Sequence, residues 1–221
     1  MAAAMALRLH RGGKFRRWLG ARLGGDFELG DRVWRRALHV VGALALLYYA
    51  LPTGFFVVAP KEYVLLAALA AVLVLEALRH AVGLELPTIR PYEEGRVGSF
   101  AIFGTAIVIA ILLFPLPIAC AVVLGTAIVD PLAGELRRQP RYRRADLVVP
   151  FGAYAGLAFL GLAVLGRWPA LPSVGLALLA GAIAVAVERP KVWWYDDDFA
   201  MALVPAVMLY GVAVLALGYP R

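Results

Sequence analysis

The chain has 221 residues, of which 62% are hydrophobic and only 17% charged. A soluble domain is nearer half apolar and a quarter charged, so this composition, with a mean hydropathy of +0.79, excludes a soluble enzyme, a disordered protein and a small secreted scaffold. One cysteine, Cys120, excludes an intrachain disulfide and a multi-cysteine metal site. The net charge of +7 lies between apolar runs, which points to topology and anionic membrane lipids as partners and not to nucleic acid.

Residues 1–36 carry nine Arg/Lys interspersed with Leu7, Leu9, Phe15, Trp18, Leu19 and Leu23. This pattern predicts a basic amphipathic segment lying on the cytoplasmic membrane surface. It is not a signal peptide, because no short apolar core precedes a cleavage site. Seven apolar runs follow, near 37–59, 62–82, 99–116, 117–136, 147–166, 170–187 and 199–218. A spanning helix needs roughly 20 apolar residues. The expected fold is therefore all-α: a polytopic membrane protein of about seven transmembrane helices, with residues 37–218 as a single transmembrane catalytic domain. Pro52 and Gly54 mark a break in the first run, and Phe114-Pro115-Leu116-Pro117 marks a tight hairpin between the third and fourth.

With the N-terminus in the cytoplasm, the inner segments 1–36, 79–98, 137–146 and 188–198 hold 19 of the 22 Lys/Arg, leaving Lys61, Arg167 and Arg221 outside. This positive-inside bias predicts a cytoplasmic N-terminus and an external C-terminus. Fourteen of the fifteen Asp/Glu fall toward the same side, Glu62 being the exception. Ionisable groups of both signs on one side place the chemistry there.

Gly-Thr-Ala-Ile-Val occurs at 104–108 and again at 125–129. Small residues for close helix packing and an internal duplication both account for it. The copies diverge at the next residue, Ile109 in the first and Asp130 in the second. An acid at membrane depth is costly and is usually paired, hydrated or functional. Pro131 follows Asp130 and is expected to break the span there; an ordinary helix end anchored by Arg137 and Arg138 is the alternative. Glu188 and Asp196-Asp197-Asp198 form a second acid group. Carboxylates in that number suit a hard divalent cation with phosphate, whereas a helix N-cap needs only one of the three. Trp193, Trp194 and Tyr195 beside them read as interfacial aromatics. Arg36 and His39 share a helical face and, with Arg35, either hold phosphate oxygens or anchor the first span. Glu76 and Arg79 read as a structural ion pair. The 85–100 loop, with Arg90, Arg96, Gly98 and Ser99, enters a helix N-terminus and can cradle phosphate. No Walker A motif, nucleophile elbow or zinc-protease motif occurs.

Taken as an ordered set, these blocks resemble the CTP-dependent polyprenol kinase family, which includes dolichol kinase, phytol kinase and the yeast-type CTP-dependent diacylglycerol kinase. The matching residues are Arg35, Arg36 and His39; Glu94, Gly98, Ser99, Phe100 and Gly104; Asp130 and Ala133; and Glu188 with Asp196-Asp197-Asp198-Phe199. They span roughly residues 30–205. The chain departs from the family pattern at Val129, where Gly is usual, at Arg137-Arg138, where Gly-Arg is usual, and at Asp198, where Asn is usual. The resemblance implies transfer of the γ-phosphoryl group of CTP to a membrane isoprenoid alcohol, with Mg²⁺ (or Mn²⁺) as cofactor. It assigns Asp130 and Asp197 to catalysis, and Asp130, Glu188, Asp196 and Asp197 to the metal. Arg35, Arg36, His39, Arg90, Arg96, Gly98 and Ser99 fall to the nucleotide phosphates. A cytidylyltransferase making a CDP-lipid and an ion or lipid transporter are the competing readings.

Overall fold

The structure is a computed structural model in which residues 36–52, 60–83, 89, 95–142, 145–189 and 196–219 are described. The basic N-terminal segment other than Arg36, the site candidates Arg35 and Arg90, and Glu94 and Trp193–Tyr195 lie outside the described residues. The described residues are all-helical apart from short connections and contain no strand.

Their helices are α1 (Arg36–Ala50), α2 (Glu62–Val82), α3 (Ser99–Leu113), α4 (Leu116–Arg138), α5 (Ala145–Leu165), α6 (Ala170–Glu188) and α7 (Asp197–Leu209, wound more loosely over Tyr210–Ala216). Five of them, α2 and α4 to α7, are long and apolar enough to cross a membrane, as a multi-pass membrane protein requires. Helices α1 and α3 are shorter apolar helices. At about 1.5 Å per residue, the 15 residues of α3 reach roughly 22 Å, less than a bilayer core. Helix α3 is nevertheless central: Ala101, Phe103, Ala106, Ile107, Ala110 and Ile111 are buried against its neighbours.

The bundle core follows the helical repeat. On α6, Leu176, Ala177, Ala180, Gly181, Ala184, Val185 and Glu188 are buried, one stripe at three- and four-residue spacing. On α7 the stripe is Asp198, Met201, Ala202, Pro205, Ala206 and Leu209. Six of these residues are Ala or Gly, which lets backbones approach closely where lipid supplies no hydrophobic drive between helices. A Cβ at Gly181 would lie 2.9 Å from the carbonyl oxygen of Phe151 on α5, and one at Gly161 the same distance from that of Pro117 on α4.

Three prolines sit inside helices: Pro131 in α4, Pro150 in α5 and Pro205 in α7. Each leaves the carbonyl four residues earlier without its helical donor. For Pro205 that carbonyl belongs to Met201, and the buried Tyr154 hydroxyl of α5 donates to it at 2.9 Å. Gly125 of α4 makes room for the Tyr154 ring, since a Cβ there would come within 2.6 Å of it. Gly125, Tyr154 and Pro205 thus lock α4, α5 and α7 together. The repeated pentamer acts differently in its two copies: Gly104 has no such close neighbour, its nearest being Val72 at 3.8 Å.

The expected break at Asp130 does not occur. Helix α4 runs unbroken from Leu116 to Arg138 through Pro131, because its close packing on α3, α5 and α7 outweighs one missing backbone hydrogen bond. Helix α1 ends at Ala50, before Pro52; residues 53–59 are outside the described set.

Polar contacts gather at one end of the bundle. They join the start of α1 to the end of α4, the end of α2 to the start of α3, and the end of α4 to the end of α6. Aromatic contacts tie the other end: Phe114 on Tyr210 and Trp168 on Tyr219, with ring centroids 5.8 and 4.7 Å apart.

Candidate functional site

The polar end holds two constellations. The first draws on α1, α4, α6 and α7. His39 stands one turn into α1 and is only 4% exposed. Its ring lies on Phe103 of α3, centroids 4.5 Å apart. Its Nε2 is 3.9 Å from Asp130 Oδ2 and 3.7 Å from Asp198 Oδ2. Gly42 permits this approach, since a Cβ there would come within 2.7 Å of the Phe103 ring.

Asp130 projects from the last third of α4, and Arg137 follows two turns later on the same face. The Arg137 guanidinium forms a two-pronged pair with Glu188 at the end of α6, Nη1 donating to Oε2 at 2.6 Å and Nη2 to Oε1. Such forked pairing fixes both side chains. Glu188 is buried. Arg36 of α1 pairs with Glu135 of α4 at the half-exposed rim, closing the cluster on that side.

The three aspartates that begin α7 divide their tasks. Asp196 is the N-cap: its Oδ1 accepts from the backbone N–H groups of Asp198 and Phe199 at 3.0 and 3.3 Å. Asp197 and Asp198 occupy the first turn, Asp197 partly exposed and Asp198 fully buried. Three sets of ligand atoms lie within 4.8 Å of one another: His39, Asp130 and Asp198; Asp130, Glu188 and Asp197; and Asp196, Asp197 and Asp198. Asp130 belongs to two of them. Hard oxygen donors at this spacing fit Mg²⁺ or Mn²⁺.

The second constellation lies between α2 and α3. Glu76 accepts from Arg79 Nε at 2.8 Å and Nη2 at 2.7 Å, the structural ion pair expected from their spacing. Its Oε1 also takes the Gly98 N–H at 2.7 Å. Arg79 donates to the Arg96 carbonyl, and His80 Nε2 lies 3.1 Å from the same oxygen. Gly98 was expected to offer its N–H to phosphate; here a carboxylate of the chain already holds it. Glu76 is therefore the anion at the entrance of α3, and the pair pins the backbone of Arg96 to Gly98.

The structure thus brings together Arg36, His39, Asp130, Glu188, Asp196 and Asp197, and places Arg96, Gly98 and Ser99 at the second constellation. Sequence reasoning grouped Asp198 with Asp196 and Asp197 without assigning it to the site, read Arg137 as a helix-end anchor, and passed over Glu135. Asp198 was legible as the first member of the α7 stripe that continues through Met201, Ala202 and Pro205. Arg137 was legible from its seven-residue spacing to Asp130.

Comparisons with protein-family models, with curated proteins and with solved structures find no match.

Proposed function

We propose that the chain is an integral-membrane lipid kinase that moves the γ-phosphoryl group of CTP to the hydroxyl of an isoprenoid alcohol on the cytoplasmic side. The observation that carries this reading is the convergence of Asp130, Glu188, Asp197 and Asp198 from three helices at one end of an apolar bundle. Phosphoryl transfer depends mostly on positioning and on neutralising phosphate charge. That is what a fixed set of carboxylates, arginines and one histidine can provide.

Asp130 sits where the apolar wall of α4 gives way to charge. It is suited to orient the alcohol hydroxyl and accept its proton as that oxygen bonds to the γ-phosphorus and the bond to CDP breaks. Asp197, partly exposed, faces the side from which nucleotide arrives. A divalent cation bound by Asp130, Glu188 and Asp197 would supply charge neutralisation at the phosphates. Arg36, with Arg35, Arg90 and Arg96, would hold phosphate oxygens. The Arg137–Glu188 pair keeps Glu188 oriented. The exposed apolar faces of the outer helices leave the alcohol's tail in lipid while its hydroxyl reaches the polar end.

The test is purified protein with CTP, Mg²⁺ and a panel of isoprenols, with lipid and nucleotide products identified together. A lipid monophosphate with CDP is the expected outcome. A CDP-lipid with pyrophosphate would assign the site to a cytidylyltransferase, and no CTP consumption would favour a transport role.

A further inference from the structure

We propose that His39 is a metal ligand, and that with Asp130 and Asp198 it forms a mixed nitrogen–oxygen subsite selecting a transition-metal ion such as Mn²⁺ over Mg²⁺. This revises the expectation that His39 serves phosphate. It deepens the kinase reading only in its choice of cation and rests on that reading for nothing else.

Two carboxylate oxygens face His39 Nε2 at 3.7 and 3.9 Å. Hydrogen bonds to nitrogen span about 2.7–3.2 Å, so both separations exceed a hydrogen bond. A bound ion lies about 2.0–2.2 Å from each donor, so two donors on one ion can stand up to about 4.3 Å apart. The observed separations fall in that range, and the three donors lie within 4.8 Å of one another. A phosphate oxygen at the same point would meet Asp130 and Asp198 at close range and be repelled.

The imidazole's surroundings agree. The side chain is 4% exposed, and its Nδ1 has no hydrogen-bond partner among the described residues. The neutral ring that carries its proton on Nδ1 turns a lone pair from Nε2 toward the carboxylates, which is favourable only with a cation between them. Contact with Phe103 on one side and the entry of α1 past Gly42 hold the ring in that direction. Imidazole nitrogen favours transition metals, whereas carboxylate and water alone suit Mg²⁺.

The experiment uses the full-length protein in detergent, without nucleotide or alcohol, titrated with Mn²⁺ and read by pulsed electron paramagnetic resonance. Wild type is expected to bind Mn²⁺ with a histidine-nitrogen hyperfine coupling, which changes to the ¹⁵N pattern when histidine alone is ¹⁵N-labelled. His39→Gln is expected to lose the coupling and weaken Mn²⁺ binding about tenfold or more, while Mg²⁺ binding changes little. His80→Gln is expected to keep the coupling. Should His39→Gln fail to fold, the His10→Gln/His80→Gln double variant decides, since His39 is then the one histidine left to give the coupling. Absence of histidine coupling, coupling that survives His39→Gln, or absence of Mn²⁺ binding overturns the proposal. Because no substrate is present, none of these outcomes depends on whether the protein is a kinase, which product analysis decides separately.

Discussion

Asp196, Asp197 and Asp198 are neighbours in sequence with the same side chain, yet backbone geometry separates them. Asp196 has extended backbone and spends Oδ1 on two N–H groups of the first turn of α7. Asp196→Ala should therefore lower stability by about 1 kcal/mol, as loss of an N-cap does, read as a fall in melting temperature. Asp198 starts the buried stripe and reaches His39 across the bundle. Asp198→Asn keeps the shape and removes the charge, so it should leave the fold intact and weaken divalent-cation binding more than Asp196→Ala does; calorimetric titration of both variants compares them. Asp130→Asn should cut turnover at least about a hundredfold, the usual scale for a lost acid–base group, with the melting temperature nearly unchanged. Wild-type turnover in that variant would remove Asp130 from the chemistry. The acid residues themselves were legible in the sequence. Their division of labour was not, because capping depends on where the helix begins to within one residue.

At the scale of elements, close packing decides what local propensity leaves open. Pro131 disfavours helix at the residue before it, and α4 remains helical because its small residues pack tightly on three neighbours. The carbonyl of Met201, freed by Pro205 inside the core, meets a buried donor in the Tyr154 hydroxyl. Tyr154→Phe should therefore cost about 1–3 kcal/mol, the range for stranding a buried polar group. Glycines give a matched pair on one helix. A Cβ at Gly181 meets the backbone of Phe151 at 2.9 Å, whereas one at Gly175 meets nothing within 4 Å. Gly181→Ala should destabilise by about 1–3 kcal/mol and Gly175→Ala should be close to neutral, as thermal unfolding in one detergent would show. Helix positions were legible from apolar runs, since five runs end within three residues of the helices α2 and α4 to α7. The helix contacts were not, because in a chain this rich in Ala, Gly and Val many faces could approach closely.

Across the described residues, the ion pairs occupy one end, and the Phe114–Tyr210 and Trp168–Tyr219 ring contacts the other, with apolar surface between. Helix α2 shows lipid-facing character most strongly, with Leu66, Leu73, Val74, Leu78 and Val82 exposed. On the positive-inside count we propose that the ionic end faces the cytoplasm. In a Cys120→Ala background on intact cells, Arg138→Cys should resist an impermeant thiol reagent and Ala170→Cys should react; the reverse pattern would invert the topology. The sequence placed nearly all charge on one side, yet it could not show that Arg137 meets Glu188 or that Glu76 closes on Gly98. Those contacts join residues far apart in the chain, and no local spacing encodes them. The central claim is that the ionic end transfers a phosphoryl group and not a nucleotidyl group. It is tested most directly by supplying purified protein, divalent cation and isoprenol with CTP labelled at either the α- or the γ-phosphorus. Label should enter the lipid from γ-labelled CTP alone and be lost in Asp130→Asn; label entering from α-labelled CTP, or from neither, would contradict it.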